Sequence, residues 1–197
     1  MKTYYDTRAP EYDEWYLGLG RFAERERPGW DEALVALCDA IAELPPARTL
    51  DAACGTGFLT SHLKGPVAGL DQSGRMLAIA GERVAGATFV QGDALSLPFD
   101  DDAFDRTFTG NFYGHLDRDQ RAQFLDEARR VARELVVVDA ALQPDHEPEE
   151  WQERVLNDGS RFTVYKRFFD PHQLANELGG GVVLHASRWF VMVSSQR

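Results

Sequence analysis

Apolar positions along the chain change period several times, and each change marks an element. Over 31–44 the residues Leu34, Leu37, Cys38, Ile41 and Leu44 recur at helical spacing, with Asp31 placed as N-cap and Pro45-Pro46 as the stop. A short apolar strand follows over 48–53, then a glycine turn, a short helix after Gly57, and a strand over 67–70 ending on Asp71. Ser73 caps a helix over 74–84, and short strands fall at 87–90 and 103–108 on either side of the solvated run Asp100-Asp101-Asp102. Asp117 opens a helix to residue 132, with Gln120 at the capping-box position and Phe124, Leu125, Ala128 and Val131 on one face. The stretch 134–140 carries Leu135-Val136-Val137-Val138 with nothing polar interleaved, which is the pattern of a strand buried on both faces of a parallel sheet. Asp170-Pro171-His172-Gln173 begins another helix, Gly179-Gly180-Gly181 ends it, and 182–186 and 189–193 form two strands split by Ser187-Arg188. Strands alternating with helices predict a doubly wound α/β sheet with right-handed crossovers and a closing antiparallel hairpin.

Two stretches escape this periodicity. Residues 1–30 mix Tyr4, Tyr5, Tyr12, Trp15, Tyr16, Phe22 and Trp30 with charges; they either cap the sheet or supply a binding surface. The segment 143–160 is acidic and carries prolines, with Trp151 as its one large apolar anchor. It reads either as an insertion above the sheet or as an unstructured loop, and 162–169 alternates aromatic and basic residues as a strand could.

The 197 residues suggest one domain, 1–197. Cys38 and Cys54 lack the spacing of a disulfide framework or a zinc site, and no His or carboxylate set has metal-ligand spacing, so no metal is expected. The start has no apolar core of signal-peptide type and no run nears the roughly 20 apolar residues that span a bilayer, so a cytoplasmic protein off the membrane is expected. The net charge of −11 repels polyanions, which argues against nucleic-acid partners; the basic cluster Arg129-Arg130 and Arg133 suits the end of its helix. Oligomeric state is not legible.

The most informative stretch is Thr49-Leu50-Asp51-Ala52-Ala53-Cys54-Gly55-Thr56-Gly57-Phe58-Leu59-Thr60. A strand ends in an acid, turns through glycines that permit close approach of a ligand, and enters a helix with free N–H groups. Twenty residues on, Asp71 ends the next strand, where a carboxylate can accept from ribose hydroxyls; with Ser73 as the helix cap, Asp71 is left free to face a ligand. A nicotinamide dinucleotide fingerprint would want glycine where Thr60 stands, and the chain has no Tyr-x-x-x-Lys pair.

This stretch resembles motif I of the class I S-adenosylmethionine (SAM)-dependent methyltransferases, an acid followed by Gly-x-Gly-x-Gly, with Ala53 in place of the first glycine. An alanine is tolerated there if the chain is nearly extended. The resemblance covers 49–140 and implies a Rossmann-like sheet, mostly parallel with a C-terminal antiparallel hairpin strand, and SAM as cofactor. It implies that Asp51, Ala53, Cys54, Gly55 and Gly57 surround the cofactor. It also implies that Gln72, Ser73 and Met76 line the adenosine, and that Asp93, Ala94 and Leu95, within Gly92-Asp93-Ala94-Leu95-Ser96-Leu97-Pro98-Phe99, read adenine. By the same resemblance Tyr12 closes over the methionine end and the mouth at 109–116 including Asn111 lies beside the methyl group; 1–30 reads as an N-terminal cap segment and 143–169 as an insertion on the acceptor side. The Asn/Asp-Pro-Pro-Tyr string of enzymes that methylate DNA bases is absent, and Ala132-Arg133-Glu134 replaces a Lys-Pro-Gly-Gly turn.

A sulfonium methyl is already activated, so such a catalyst mainly aligns acceptor, carbon and sulfur. His115 is the candidate general base by pKa and position, against the alternative that it packs at a helix start. Tyr5, Tyr16, Tyr113 and Trp151 are candidates to touch a small-molecule acceptor. His62, His146, His172 and His185 have no partner pattern. The expected function is SAM-dependent methyl transfer to a small molecule. The alternatives are a SAM-binding protein without turnover and, further off, a nicotinamide-dependent oxidoreductase.

Overall fold

The computed structural model describes residues 2–144 and 146–197. Among these, seven strands form one sheet: β1 (Thr49–Ala52), β2 (Val67–Asp71), β3 (Thr88–Gln91), β4 (Phe104–Gly110), β5 (Ala132–Ala140), β8 (Val182–Ala186) and β9 (Phe190–Gln196). Their spatial order is β3-β2-β1-β4-β5-β9-β8. β1 pairs in parallel with both β2 and β4, β5 continues the parallel set, and β9 lies antiparallel between β5 and β8. Strand order reverses between β1 and β4, and the crevice beyond their carboxyl ends is where ligands bind in such sheets.

The central strands of the sheet are buried on both faces, which is why Leu135 to Val138 carry no polar residue. Leu37, Ile41, Phe108, Val136, Val138 and Met192 meet on the side of α3 (Trp30–Ala42). Phe124, Ala128, Leu135, Val137, Leu174 and Val193 meet on the side of α5 (Arg118–Val131) and α6 (Pro171–Glu177). The Asp117–Gln120 capping box is formed in both directions, and Asp170 accepts from His172 and Gln173 as its sequence predicts. Ser73 accepts from Met76 N at the start of α4 (Gly74–Arg83). The missing Lys-Pro-Gly-Gly turn has a simple outcome: α5 runs into β5 with Ala132 as its cap residue.

The beginning of α3 departs from the sequence reading. Its N-cap is Gly29 in the left-handed region, with no side-chain cap from Asp31. Trp30, the first helical residue, donates its indole N–H to the Tyr16 carbonyl over 2.8 Å, so tertiary packing sets this helix start. Rotating the helix onto Trp30 buries Ala33 with Leu37 and Ile41 and leaves Leu34 and Cys38 half-buried.

Residues 1–30 fold as α1 (Lys2–Arg8), a 3-10 turn at Ala9–Glu11, α2 (Glu14–Leu17) and a 3-10 turn at Gly20–Phe22. They are a cap and a wall at once. Asp6 accepts from the Ser73 hydroxyl and Asp13 from Thr56, each over 2.6 Å, while Trp15, Trp30 and Phe190 pack edge to face or tilted. The expected insertion is a hairpin, β6 (Glu149–Val155) with β7 (Arg161–Arg167), separate from the main sheet. Tyr4 packs with Leu156 and Val164 and ties α1 to it. Asp145, inside the expected loop, lies outside the described residues. No helix among the described residues is long and apolar enough to cross a membrane.

Candidate active site

The turn after β1 is tighter than its sequence suggests. Ala53 has φ +62°, so the chain there is left-handed and not extended, and the alanine occupies a conformation that glycine adopts without cost. Gly55, at φ +55°, lies against the Tyr12 ring, where a Cβ would stand 3.7 Å away. Its N–H donates to Asp71 Oδ2 over 2.9 Å. Gly57 has a different duty from the one its motif implies. A Cβ there would meet Ala80 Cα at 3.2 Å, so Gly57 lets the turn pack on α4 and stands away from the ligand cavity.

Behind Ala53, a narrow recess contains Asp51, Cys54 and Tyr16. Thr60 donates to Asp51 Oδ2 over 2.6 Å, and Asp51 Oδ1 is buried with no partner among the described residues. Burial, together with the nearby Asp71 charge, pushes the Asp51 carboxyl up to about 7 against the pull of Thr60. Asn111, at the end of β4 with φ +54°, donates through Nδ2 to the Tyr16 hydroxyl over 2.9 Å and leaves its own Oδ1 buried and unpartnered. Two orphaned acceptors, one on a carboxylate, are the complement of a cationic donor such as an α-ammonium group.

The recess opens into a cavity of about 110 Å³ at the sheet's switch point. Its wall brings together Tyr5, Tyr12, Ala53, Gly55, Asp71 and Gln72 with Met76, Ala94, Leu95, Asn111 and His115. Asp71 is less free than expected: Oδ1 accepts from Ser73 N over 2.8 Å and Oδ2 from Gly55 N, so it fastens two ligand loops while facing the cavity. Burial raises its pKa against those hydrogen bonds.

Several sequence candidates stand elsewhere. Ser73 spends its hydroxyl on the helix cap and Asp6. Asp93 heads a turn, accepting from Leu95 N over 3.0 Å, and its exposed carboxylate stands outside the wall that its neighbours Gly92 and Ala94 form. Tyr16 is buried in the recess, stacked on Phe58 at 4.1 Å, and does not face the acceptor side. Tyr113 is fully buried and donates to Glu177, because the 3-10 turn at Tyr113–His115 points it into the α6 side of the core. Trp151 is 71% exposed on the hairpin, packs against the Tyr165 ring, and lines neither cavity.

His115 lies where the first cavity meets a second, larger one of about 710 Å³. Its Nδ1 is 2.7 Å from the Tyr165 carbonyl, so Nδ1 carries the hydrogen and Nε2 keeps its lone pair. Burial, then the charges of Lys166, Arg154 and Arg8, hold the imidazole well below the usual histidine range and therefore neutral. Its turn is pinned from β5: Asp139, fully buried, accepts from Gly114 N over 2.7 Å and pairs with Lys166 Nζ at 2.5 Å. A Cβ at Gly114 would come within 2.6 Å of the Arg167 carbonyl. Asp139, Lys166, Arg8 and Arg154 were not singled out in the sequence. The alternation of basic and aromatic residues at 162–169 contains Lys166 and gives no sign of the other three.

This fold is that of the class I SAM-dependent methyltransferases. Residues 49–134 match the family described as "Methyltransferase domain". The chain is 37% identical over 109 residues to a demethylmenaquinone methyltransferase of Thermotoga maritima, covering 53% of this chain and 45% of that one. It is 36% identical over 122 residues to a 2-phytyl-1,4-naphtoquinone methyltransferase of Synechococcus elongatus, covering 54% and 48%. It thus spans about half the length of these two relatives. Among solved structures, the complex of DhpI with SAH superposes with a TM-score of 0.73 at 27% identity, covering 98% of this chain and 92% of that one. The residues present fit the cofactor: the orphaned oxygens of Asp51 and Asn111 suit its ammonium group and the Asp71 carboxylate its ribose.

Proposed function

We propose that this chain transfers the methyl group of SAM to a small-molecule acceptor that enters through the larger cavity. The observation that carries the reading is the pair of unpartnered buried oxygens, Asp51 Oδ1 and Asn111 Oδ1, at the closed end of the switch-point crevice. Bound SAM supplies a methyl carbon already activated by its sulfonium. Asp51 and Asn111 hold the ammonium end, Asp71 takes the ribose, Met76, Ala94 and Leu95 border the adenine, and Asp93 adds its free edge at the rim. Tyr5 and Tyr12 close the crevice from the cap, which excludes water from the line of transfer.

The neutral His115 accepts at Nε2 the proton of an acceptor hydroxyl or amine as the new bond to carbon forms, while the carbon–sulfur pair stays on sulfur. The names of the two quinone methyltransferases support a small organic acceptor. The family match ends at residue 134, before the hairpin that walls the larger cavity, so the acceptor has to be read from this chain's own residues.

Calorimetric titration of the purified protein with S-adenosylhomocysteine, with NADH as control, tests the cofactor. Micromolar binding of the first alone, followed by turnover in an acceptor screen, is expected. Binding without turnover on any acceptor would mean a non-catalytic SAM-binding protein, and a folded sample that ignores S-adenosylhomocysteine would end the reading.

A further inference from the structure

The larger cavity is electrostatically at odds with the rest of the molecule. The chain carries a net charge of −11. Yet the cavity wall gathers Arg8, Arg25, Arg27, Arg154, Lys166 and Arg188, against the carboxylates of Glu26, Glu150 and Glu153. All six cations lie outside the span that matches the methyltransferase family.

Of the six, only Lys166 has a carboxylate partner among the described residues, and Arg8 and Arg154 are the unpaired two whose charges act on His115. Elsewhere the protein pairs its buried cations: Arg106 with Glu134 at 2.7 Å, Arg121 with Glu177 at 2.8 Å, and Lys166 with Asp139. Among the described residues, no carboxylate is within salt-bridge distance of Arg8 or Arg154. Arg8 donates to the Tyr4 hydroxyl and lies over the Tyr12 ring, 4.8 Å from its centroid. Arg154 donates to Gln152, while its Nε is buried with no acceptor among the described residues. Arg8 and Arg25 both repel the Arg154 charge, so like charges have been brought together where desolvation makes each of them costly. A buried N–H without an acceptor and guanidinium forks without a carboxylate are the unfinished half of an anion site.

We propose that the acceptor carries an oxyanion, and that Arg8 and Arg154 bind it in the cavity beside His115. The proposal rests on the methyltransferase reading for the word acceptor only; the anion site itself is a property of the cavity. Guanidinium forks match the two or more oxygens of a carboxylate or a phosphate, which a lysine could not do as well. The indole and phenyl faces of Trp15, Trp30 and Phe168 leave room for an organic body attached to that group. An oxyanion seated there offsets the cations around His115, so its binding strengthens the imidazole as a base. Acceptor recognition and proton removal would then be linked through one set of charges.

The test titrates protein saturated with S-adenosylhomocysteine against inorganic phosphate, benzoate and benzamide. Benzoate and benzamide differ in charge at nearly constant shape, and phosphate separates a tetrahedral from a planar oxyanion. Saturable binding of phosphate or benzoate is expected, weakened by added salt, with benzamide at least about tenfold weaker. Arg8→Met and Arg154→Met should each lose about tenfold or more in anion affinity with S-adenosylhomocysteine affinity unchanged, and Arg154→Lys should recover part of the loss.

In the wild type, the His115 imidazole, followed by NMR, should titrate at higher pH when the anion is bound. Equal affinity for benzoate and benzamide, or no loss in either Met variant, would overturn the proposal. The wild-type comparison decides it even if a variant fails to fold. Cofactor affinity is read first on the same sample: its absence would strike the methyltransferase reading alone, and the anion titration of the free protein would still decide this one.

Discussion

The Thr60 hydroxyl donates to Oδ2 of Asp51 over 2.6 Å, and the other oxygen of that carboxylate is left buried with nothing to accept from. The residue that excludes a dinucleotide fingerprint is therefore the one that orients the acid of the motif. Held this way in the free protein, the Asp51 carboxyl has a pKa of about 7, raised chiefly by burial. A carboxyl whose folded pKa lies above its unfolded value of about 3.9 stabilises the fold fully below that lower value, and the contribution is lost as pH rises through about 7. The ammonium of the cofactor reverses the preference, so binding near pH 6 should release close to one proton and binding above pH 8 almost none. Calorimetry in buffers of different ionisation enthalpy reads this directly. Asp51→Asn should abolish the proton release and weaken S-adenosylhomocysteine by at least about tenfold, without a loss of thermal stability at neutral pH.

Ala53 sits at φ +62°, where a Cβ is strained by roughly 1–2 kcal/mol. Ala53→Gly removes the strain and adds backbone freedom to the unfolded chain, a smaller cost of about 0.4–1 kcal/mol. The variant should be as stable as the parent or slightly more so, by up to about 1 kcal/mol in denaturant unfolding, with cofactor affinity retained. A clear destabilisation would show that the alanine methyl contributes packing that outweighs the strain.

Asp71 joins two loops through the N–H groups of Gly55 and Ser73 as well as facing the cavity. Asp71→Ala should weaken SAM binding by about 1–3 kcal/mol and also lower stability, because two buried donors lose their acceptor. A variant with normal affinity for S-adenosylhomocysteine would sink the ribose assignment. A loss of stability alone would reduce Asp71 to a loop fastener.

The sequence showed the sheet well because each of its elements carries a local sign: Ser73 and Asp117 as caps, Asp71 at a strand end, and Leu135 to Val138 as a strand with no wet face. The placing of Ala53, Gly55 and Asp71 on the crevice wall was legible for the same reason, since a glycine turn and a strand-end acid are short-range patterns. What it missed depends on contacts between distant segments. Gly57 looked like a ligand glycine but packs on Ala80, twenty-three positions away in the chain by its number. Tyr113 and His115 are two residues apart, and only the 3-10 turn sends one into the core and the other to the cavity. Arg8 and Arg154 meet because α1 packs on the hairpin through Tyr4 and Val164, and no local pattern announces that.

His115 should act as a base that is neutral well into the acid range, since burial and the neighbouring cations lower its pKa below the ordinary value of about 6.5. With an acceptor that must lose a proton, the acid limb of kcat/KM attributable to this group should therefore fall below pH 6.5, with activity flat from there to about pH 8. His115→Ala should reduce kcat for such acceptors by about 100-fold or more and leave S-adenosylhomocysteine affinity near normal. An unchanged rate would leave His115 a packing residue donating to Tyr165.

Asp139 is the positioning residue behind that base. It is fully buried, accepts from Gly114 N in the turn that carries His115, and pairs with Lys166 on the strand whose Tyr165 carbonyl receives the His115 hydrogen. One carboxylate thus fixes both sides of the imidazole. Asp139→Ala leaves an ammonium group buried without its partner and should cost about 3–5 kcal/mol in unfolding free energy. Asp139→Asn keeps the volume and an oxygen for Gly114 N but removes the charge opposite Lys166. In that variant kcat should fall while S-adenosylhomocysteine affinity holds, and the acid limb should move to lower pH, because an unneutralised Lys166 disfavours the imidazolium further. If Asp139 were merely a strut for β5, stability would fall in both variants and the pH profile of the remaining activity would stay where it was.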